Sequence, residues 1–430
     1  LTQIARIDVV MYLMALPMQV IFGWNITTIL LLTGATVTVY SFLGGILAVI
    51  WTDAIQAVVL MAGAVICLAV MLLQLPEGPT QVFTVAAAQQ KFSLGSVGLD
   101  MTSKTVWVVL AYGVAINLQN FGVDQSYVQR YIAAKSEREA RRSLWLGGLL
   151  YVPVSALFFF IGTTLFALYQ GDGPDPPTGD LDEVRQVVAR QQLLQEGASP
   201  EGGSFAALQA ERAAKLKLDK IGDRVFPHFI AKHLPPGLTG LLVAAVFAAA
   251  MSTISTSLNS SATLVLSDFY RRLIHPAAGP RAELTVLYGA TILWGAMGTA
   301  LALRLVRLTD SALAVWWTLS GILGGGVTGL FLLGMISRRA KNPAAVAGVL
   351  AGGVLLLWMS LPKLIDVLLT LPADSAWHDL GSQLEKSTAG FASPFDAFLA
   401  PVFAALTILY VGATIASMAG GKPLPPADPR

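Results

Sequence analysis

The sequence predicts an all-α, polytopic membrane protein, and three observations lead there. Hydrophobic residues make up 55% of the 430-residue chain and charged residues only 13%, against about 25% charged in soluble domains. The apolar residues gather into ten runs, each near the roughly 17–25 residues that a membrane-crossing helix needs. Every large cluster of Lys and Arg then falls on one side of the alternation that ten crossings impose.

The first two runs, 8–27 and 28–46, are parted by a short turn near Gly23 and Asn25, and Pro17 sits inside the first. The third, 54–75, opens on Asp53, in Ala48-Val49-Ile50-Trp51-Thr52-Asp53-Ala54-Ile55-Gln56. The fourth, 107–129, carries Asn117, Gln119, Asn120 and Asp124 around Gly122, which predicts a local break at that glycine. The fifth, 143–169, contains Pro153, tolerated in a membrane helix where neighbouring groups satisfy the freed carbonyl. A long polar insertion, 170–237, opens on the turn-rich Gly171–Pro177 and then reads as two short amphipathic helices, Leu181–Gln195 and Phe205–Lys220. Runs six to ten are 238–265, 283–304, 311–336, 343–362 and 396–418, with a smaller polar loop over 363–394. The glycines of Gly324–Gly334 suit close helix approach, and the Pro-rich tail after Gly420 reads as disordered. The organisation is thus one transmembrane domain over 1–430, with the insertion at 170–237 and a tail at 420–430.

Short-loop charge orients the chain. Arg130, Lys135, Arg138, Arg141 and Arg142, then Arg271, Arg272 and Arg281, then Arg338, Arg339 and Lys341 all fall on one side, together with Arg6, Lys422 and Arg430. That side is the cytoplasm, which places both ends of this chain there, the insertion outside, and the protein in the plasma (inner) membrane.

Several function classes lose support. A net charge of +2 suggests no nucleic-acid partner. The single cysteine, Cys67, offers neither a disulfide framework nor a thiolate metal site, and the four histidines show no ligand spacing. No phosphate-binding P-loop pattern, nucleophile elbow or acid–base pair is present, so neither ATP-driven transport nor an enzyme is expected.

The most informative stretch is Ala249–Ser260, which places six hydroxyls and Asn259 in an apolar helix. Ala249, Ser252, Thr253, Thr256, Asn259 and Ser260 recur at helical spacing and form one stripe of small or oxygen-bearing residues. Such a stripe packs against another helix or lines a hydrated or ion-binding cavity. Sodium is a hard cation that takes oxygen ligands from hydroxyls and carbonyls. Asp53 reads either as a helix N-terminal carboxylate favoured by the macrodipole or as a carboxylate guiding a cation. The amides of Asn117–Phe121 mark a candidate solute site.

Four segments carry a resemblance to the solute:sodium symporter family of sodium/glucose, sodium/proline, sodium/iodide and sodium/vitamin cotransporters. They are Tyr40–Gln56, Asp124–Lys135, Gly237–Tyr270 and Gly324–Arg339, in family order and spacing. The resemblance implies an inverted-repeat (5+5) transporter core and a sodium-coupled symporter working by alternating access, with Na+ as coupling ion and no organic cofactor. It implies that Ala249, Ser252 and Thr253 hold Na+ through a carbonyl and two hydroxyls. Ser252, Ser255, Thr256 and Asp53 match a second sodium site in members resembling sialic-acid symporters. Asn117 matches a sugar-contacting asparagine. Asn120, Phe121 and Tyr151 replace a gating Tyr, a stacking Trp and a sugar-binding Lys, which puts a sugar substrate in doubt. A small organic anion, vitamin, amino acid or polyol remains open, and Asn117, Gln119, Asn120, Phe121 and Tyr151 form the candidate solute set. The run 8–27 matches the family's third core helix, which implies an N-terminally incomplete chain holding one wall of the cation site. The expected partners are the lipid bilayer and a small solute; the alternative is a transporter-like sensor module of a signalling protein.

Overall fold

The computed structural model describes residues 2–170, 178–195, 204–305, 326–337, 339–369, 376–388 and 390–418, all helix and connecting loop with no strand among them. The expected turn at 171–177, most of the run 311–336 with Gly324 and Gly325, and the tail after Gly420 lie outside the described residues. The chain forms two compact units. One holds α1 (Thr2–Phe22), α2 (Ile26–Gln74), α3 (Gln81–Ala88), α6 (Glu137–Gln170), α7 (Thr178–Gln195), α8 (Phe205–Lys215), α9 (Leu218–His233), α10 (Pro236–Leu264) and α11 (Pro280–Leu305). The other holds α4 (Val106–Gly122), α5 (Gln125–Ile132), α12 (Gly326–Ile336), α13 (Asn342–Leu369), α14 (Ala376–Thr388) and α15 (Ala400–Met418).

Eight stretches among the described residues are long and apolar enough to cross a membrane, and the bent pair α4–α5 makes a ninth. They correspond to nine of the ten expected runs; of the run 311–336, the described part is the shorter apolar helix α12. The expected break at Gly122 is present. α4 ends there, Asp124 caps α5 by accepting from the Ser126 amide at 2.8 Å, and the two helices meet at 43°. The turn between the first two runs is also present: Gly23 has φ +67°, the left-handed conformation that ends many helices, and Asn25 caps α2 by accepting from the Thr27 amide.

The boundary between the second and third runs differs from expectation. α2 is one helix of 49 residues carrying both apolar stretches, Ile26–Leu43 and Ile50–Gln74. It is nevertheless bent. The Tyr40 and Thr52 hydroxyls are hydrogen-bonded to each other, whereas in a straight helix twelve residues span about 18 Å, beyond the reach of the two side chains. No proline lies between them. The backbone therefore stays helical while its two arms turn on each other.

Each arm has its own partner. On the first, Gly34 faces Thr299 and Thr38 faces Gly295, a reciprocal small-residue contact with α11 that brings the backbones close. The second arm contributes Ala64, Cys67 and Met71 to a core with Ile161 and Leu168 of α6, Phe229 of α9 and Leu242 of α10. In the other unit, α13 and α15 pack through glycines: a Cβ on Gly352 would lie 2.9 Å from the Ala404 carbonyl.

Among its described residues the insertion contains three helices where two were expected. The expected helix Phe205–Lys220 stops at Lys215 because Leu216 turns extended and packs against the cluster of Tyr169, Leu181, Val184 and Ile221. The side chain of Asp180 on α7 meets Lys232 and His233 of α9.

Two expectations follow. Gly352→Val overpacks α13 against α15 and should cost about 1–3 kcal/mol, read as a lower melting temperature in detergent. Gly353→Ala, where nothing lies within 4 Å, should leave that temperature unchanged; equal behaviour of the two variants would contradict the packing. For Asp180, burial pushes the carboxyl up, but hydrogen bonds from Lys232 and His233 outweigh it and hold it below its ordinary value. A depressed folded-state value means the contribution is complete above the unfolded value, about pH 4, and is lost as pH falls through the folded one. Hydrogen-exchange protection factors in α7 and α9, corrected for the intrinsic rate at each pH, should therefore fall below that pH; protection unchanged down to the lowest pH the protein survives would refute this.

Candidate functional site

The hydroxyls of α10 satisfy themselves locally. Thr253 Oγ1 donates to the Ala249 carbonyl at 3.1 Å, Ser255 Oγ to Ser252 at 3.1 Å and Ser260 Oγ to Thr256 at 2.7 Å. Asn259 Nδ2 donates to the Ser255 carbonyl at 2.9 Å. Each of these three hydroxyls spends its one proton on its own helix and keeps its lone pairs for another electropositive partner. A cation taken by both the Ala249 carbonyl and the Thr253 hydroxyl would replace the bond between them.

The partner of this stripe is the second arm of α2. Gln74 Nε2 donates to the His233 carbonyl at 3.4 Å, and a Cβ on Gly63 would meet Leu242 at 2.7 Å and Ala245 at 3.9 Å. As α2 runs backward its contacts on the facing chain run forward, so α2 and α10 are antiparallel. At 1.5 Å per residue in each helix, Asp53 comes level with Ser252–Ser255 and Gln56 with Ala249–Ser252.

Helical phase adds a direction. Thr52 and Gln56 lie on the Gly63 line of α2, with Asp53 on its flank; Ala249, Ser252 and Thr256 continue the Ala245 line of α10, flanked by Thr253 and Ser255. Extended from the Gly63 contact, the helical register puts Asp53 at the same level as the α10 oxygens. The structure also corrects the reading of Asp53 as a helix-terminal carboxylate: Asp53 lies inside α2, away from any exposed helix N-terminus, because the backbone does not break at the bend.

Burial completes the picture. Ser255, Thr256 and Ser260 are buried, while Ala249, Ser252 and Thr253 are half-buried. Two buried oxygens, Gln56 Oε1 and Ser257 Oγ, have no hydrogen-bond partner, a condition that costs about 1–3 kcal/mol per group. Gln56 was not singled out by sequence reasoning, although its spacing from Thr52 and Gly63 could have found it. Asp8 was also missed, lying at the edge of the expected first run. It sits within α1, 7% exposed, with Oδ1 accepting from the Val9 amide at 2.7 Å, and an intramembrane carboxylate is a functional candidate by default.

The candidate solute residues occupy two places. Asn117, Gln119, Asn120 and Phe121 fall on the last turns of α4, just before the bend. Asn117 Nδ2 donates to the Gly113 carbonyl at 2.8 Å, and Phe121 packs on Tyr127 with ring centroids 5.2 Å apart. Tyr151 stands on α6 with 63% of its surface exposed.

Comparison with known proteins gives a consistent picture. The model of the sodium:solute symporter family matches residues 1–175 and 204–352. The sodium/sialic acid symporter SiaT of Proteus mirabilis is 31% identical over 354 residues, covering 81% of this chain and 63% of that protein. The sodium/iodide cotransporter of Homo sapiens is 29% identical over 378 residues, covering 86% of this chain and 52% of that one. The chain therefore spans 63% of the length of the sialic acid symporter and less of the iodide cotransporter. A solved structure of the substrate-bound outward-open state of a Na+-coupled sialic acid symporter superposes with a TM-score of 0.73 at 26% identity, covering 98% of this chain and 72% of that one. That likeness bears out the inverted-repeat transporter fold.

Gln56→Leu removes a buried oxygen that has no donor. In sodium-free buffer the variant should melt at the same temperature as the parent or higher; a clear drop would mean that the amide is satisfied.

Proposed function

The chain belongs to the sodium:solute symporter family, and on that premise we propose that it acts as a sodium-coupled secondary symporter, importing a small organic solute by alternating access. The observation that carries this reading is the layer of oxygens between α10 and the second arm of α2. Sodium is assigned to the Ala249 carbonyl with the Ser252 and Thr253 hydroxyls. A second ion is assigned to Ser252, Ser255, Thr256 and Asp53, whose common level supports it. The Gln56 amide oxygen belongs to the same layer and is added to the set.

The solute is assigned to the amide-rich end of α4, with Asn117, Gln119, Asn120 and Phe121; Tyr151 on α6 is kept in the candidate set on its sequence match alone. Amide N–H groups recognise carboxylate and carbonyl oxygens. Relatives named for sialic acid and for monocarboxylates favour a small organic anion among the open classes. The basic loops around Arg138–Arg142, Arg271–Arg281 and Arg339–Lys341 support a cytoplasmic location for that side in the plasma membrane. The whole of 1–430 is read as one transporter domain with the insertion at 170–237 outside. The sensor alternative has no counterpart among the relatives named above.

Coupling requires that sodium bind one conformation better than another. The decisive measurement is sodium-driven uptake of a panel of labelled small carboxylates by protein expressed from its complete gene and reconstituted in vesicles. Ser252→Ala and Thr253→Ala should each raise the half-saturating sodium concentration by about tenfold, the loss of some 1.4 kcal/mol of ion binding. Unchanged sodium dependence in both would overturn the site; no sodium-driven uptake of any solute would overturn symport.

A further inference from the structure

The insertion between α6 and α10 holds a polar cluster that transport does not explain. Its members come from three helices: Tyr169 from the end of α6, Asp180 and Glu183 from the first turns of α7, and His228, Lys232 and His233 from the end of α9. The Asp180 side chain is only 6% exposed, and a buried carboxylate is tolerated only with partners. Its two oxygens are used differently. Oδ2 accepts from His233 Nε2 at 2.6 Å and from the Tyr169 hydroxyl at 3.3 Å. Oδ1 faces a cation, the Lys232 ammonium at 2.6 Å, which also reaches Glu183 Oε1 at 2.7 Å. The remaining side is closed by His228, whose buried Nε2 has no hydrogen-bond partner and lies 3.3 Å from Glu183 Oε2.

This arrangement has the parts of a metal centre. His233 and Tyr169 hold the Asp180 carboxylate from behind, as outer partners orient ligating carboxylates. One ligand atom each from Asp180, Glu183 and His228 lies within 4.8 Å of the others. The 3.3 Å between His228 Nε2 and Glu183 Oε2 is the edge of a tetrahedron whose centre stands about 2.0 Å from each, the Zn–N and Zn–O bond length.

We propose that Asp180, Glu183 and His228 form a site for a divalent transition-metal ion, Zn2+ by its donor set, which the Lys232 ammonium occupies until metal displaces it. An imidazole nitrogen with two carboxylates suits zinc, whereas Mg2+ and Ca2+ favour oxygen alone. The lysine is a displaceable occupant: its side chain is 41% exposed, and its flexible stem can swing the ammonium into water. Metal would then join α7 to α9 through coordinate bonds.

The test is calorimetric titration of ZnCl2 into the purified, tag-free, full-length protein, with MgCl2 in parallel. One zinc ion per chain should bind, with no comparable response to magnesium. His228→Ala should weaken zinc binding at least tenfold. Lys232→Gln should strengthen it severalfold by removing the competing cation, and as a change at a half-exposed residue it keeps the test available if His228→Ala does not fold. Metal-free melting temperatures check folding. Absence of zinc binding in both the parent and Lys232→Gln would overturn the site, as would unchanged affinity in folded His228→Ala, weaker binding in Lys232→Gln, or magnesium binding as tightly as zinc.

Discussion

Inside a bilayer a polar atom must find its partner within the protein, because the hydrocarbon offers none. That constraint governs α10. A helix with six hydroxyls and an amide in twelve residues would be untenable in lipid if each group waited for an outside partner. Instead Thr253, Ser255 and Ser260 donate to carbonyls three or four residues back in their own helix. The protons of these three hydroxyls are consumed locally and their lone pairs are left over. What results is an oxygen-lined surface that leaves the helix ladder intact and has the polarity a cation requires.

The surface gains meaning only from what faces it, and α2 is held in place by two different contacts. Its first arm is clasped to α11 by Gly34 and Thr38 against Gly295 and Thr299. Its second arm is buried against α6, α9 and α10 through Cys67, Met71 and their neighbours. The bend lies between these clamps, closed by the hydrogen bond of Tyr40 with Thr52. Asp53 therefore sits just beyond the bend, level with the α10 oxygens. A residue so placed is positioned by packing on both sides rather than by a helix end.

Much of this was legible in the sequence. The spans were, because apolar runs of that length have few other uses, and so was the break at Gly122, where amides, a glycine and an acid interrupt a span. The hydroxyl stripe was legible by its period. The place of Asp53 was not, since one reading put it at a helix start where the helix instead bends without breaking. Gln56 escaped because an amide on one helix has no significance until the opposing surface is known. The stop at Lys215 escaped because Ala213-Ala214-Lys215 is a strong helix former; the break comes from Leu216 docking on Tyr169, Leu181 and Ile221, a tertiary cause. The histidines showed no ligand spacing because His228 finds its carboxylates on α7, far away in sequence.

The back-bonded state of α10 also bears on how an ion could drive a transport cycle. On the proposed assignment, sodium entering at Ala249 and Thr253 would replace the existing hydrogen bond between them, each such bond carrying a net value of about 0.5–1.5 kcal/mol. The gain on that wall alone is small. On that assignment affinity would depend also on the facing groups of α2, where the Gln56 oxygen has no donor and Asp53 brings a carboxylate. If the site is as proposed, a movement that separates the second arm of α2 from α10 would lower ion affinity, and by reciprocity a bound ion would favour the arrangement in which they stay together. A site assembled from one self-satisfied wall and one wanting wall is therefore sensitive to conformation in a way that a site built on a single helix cannot be.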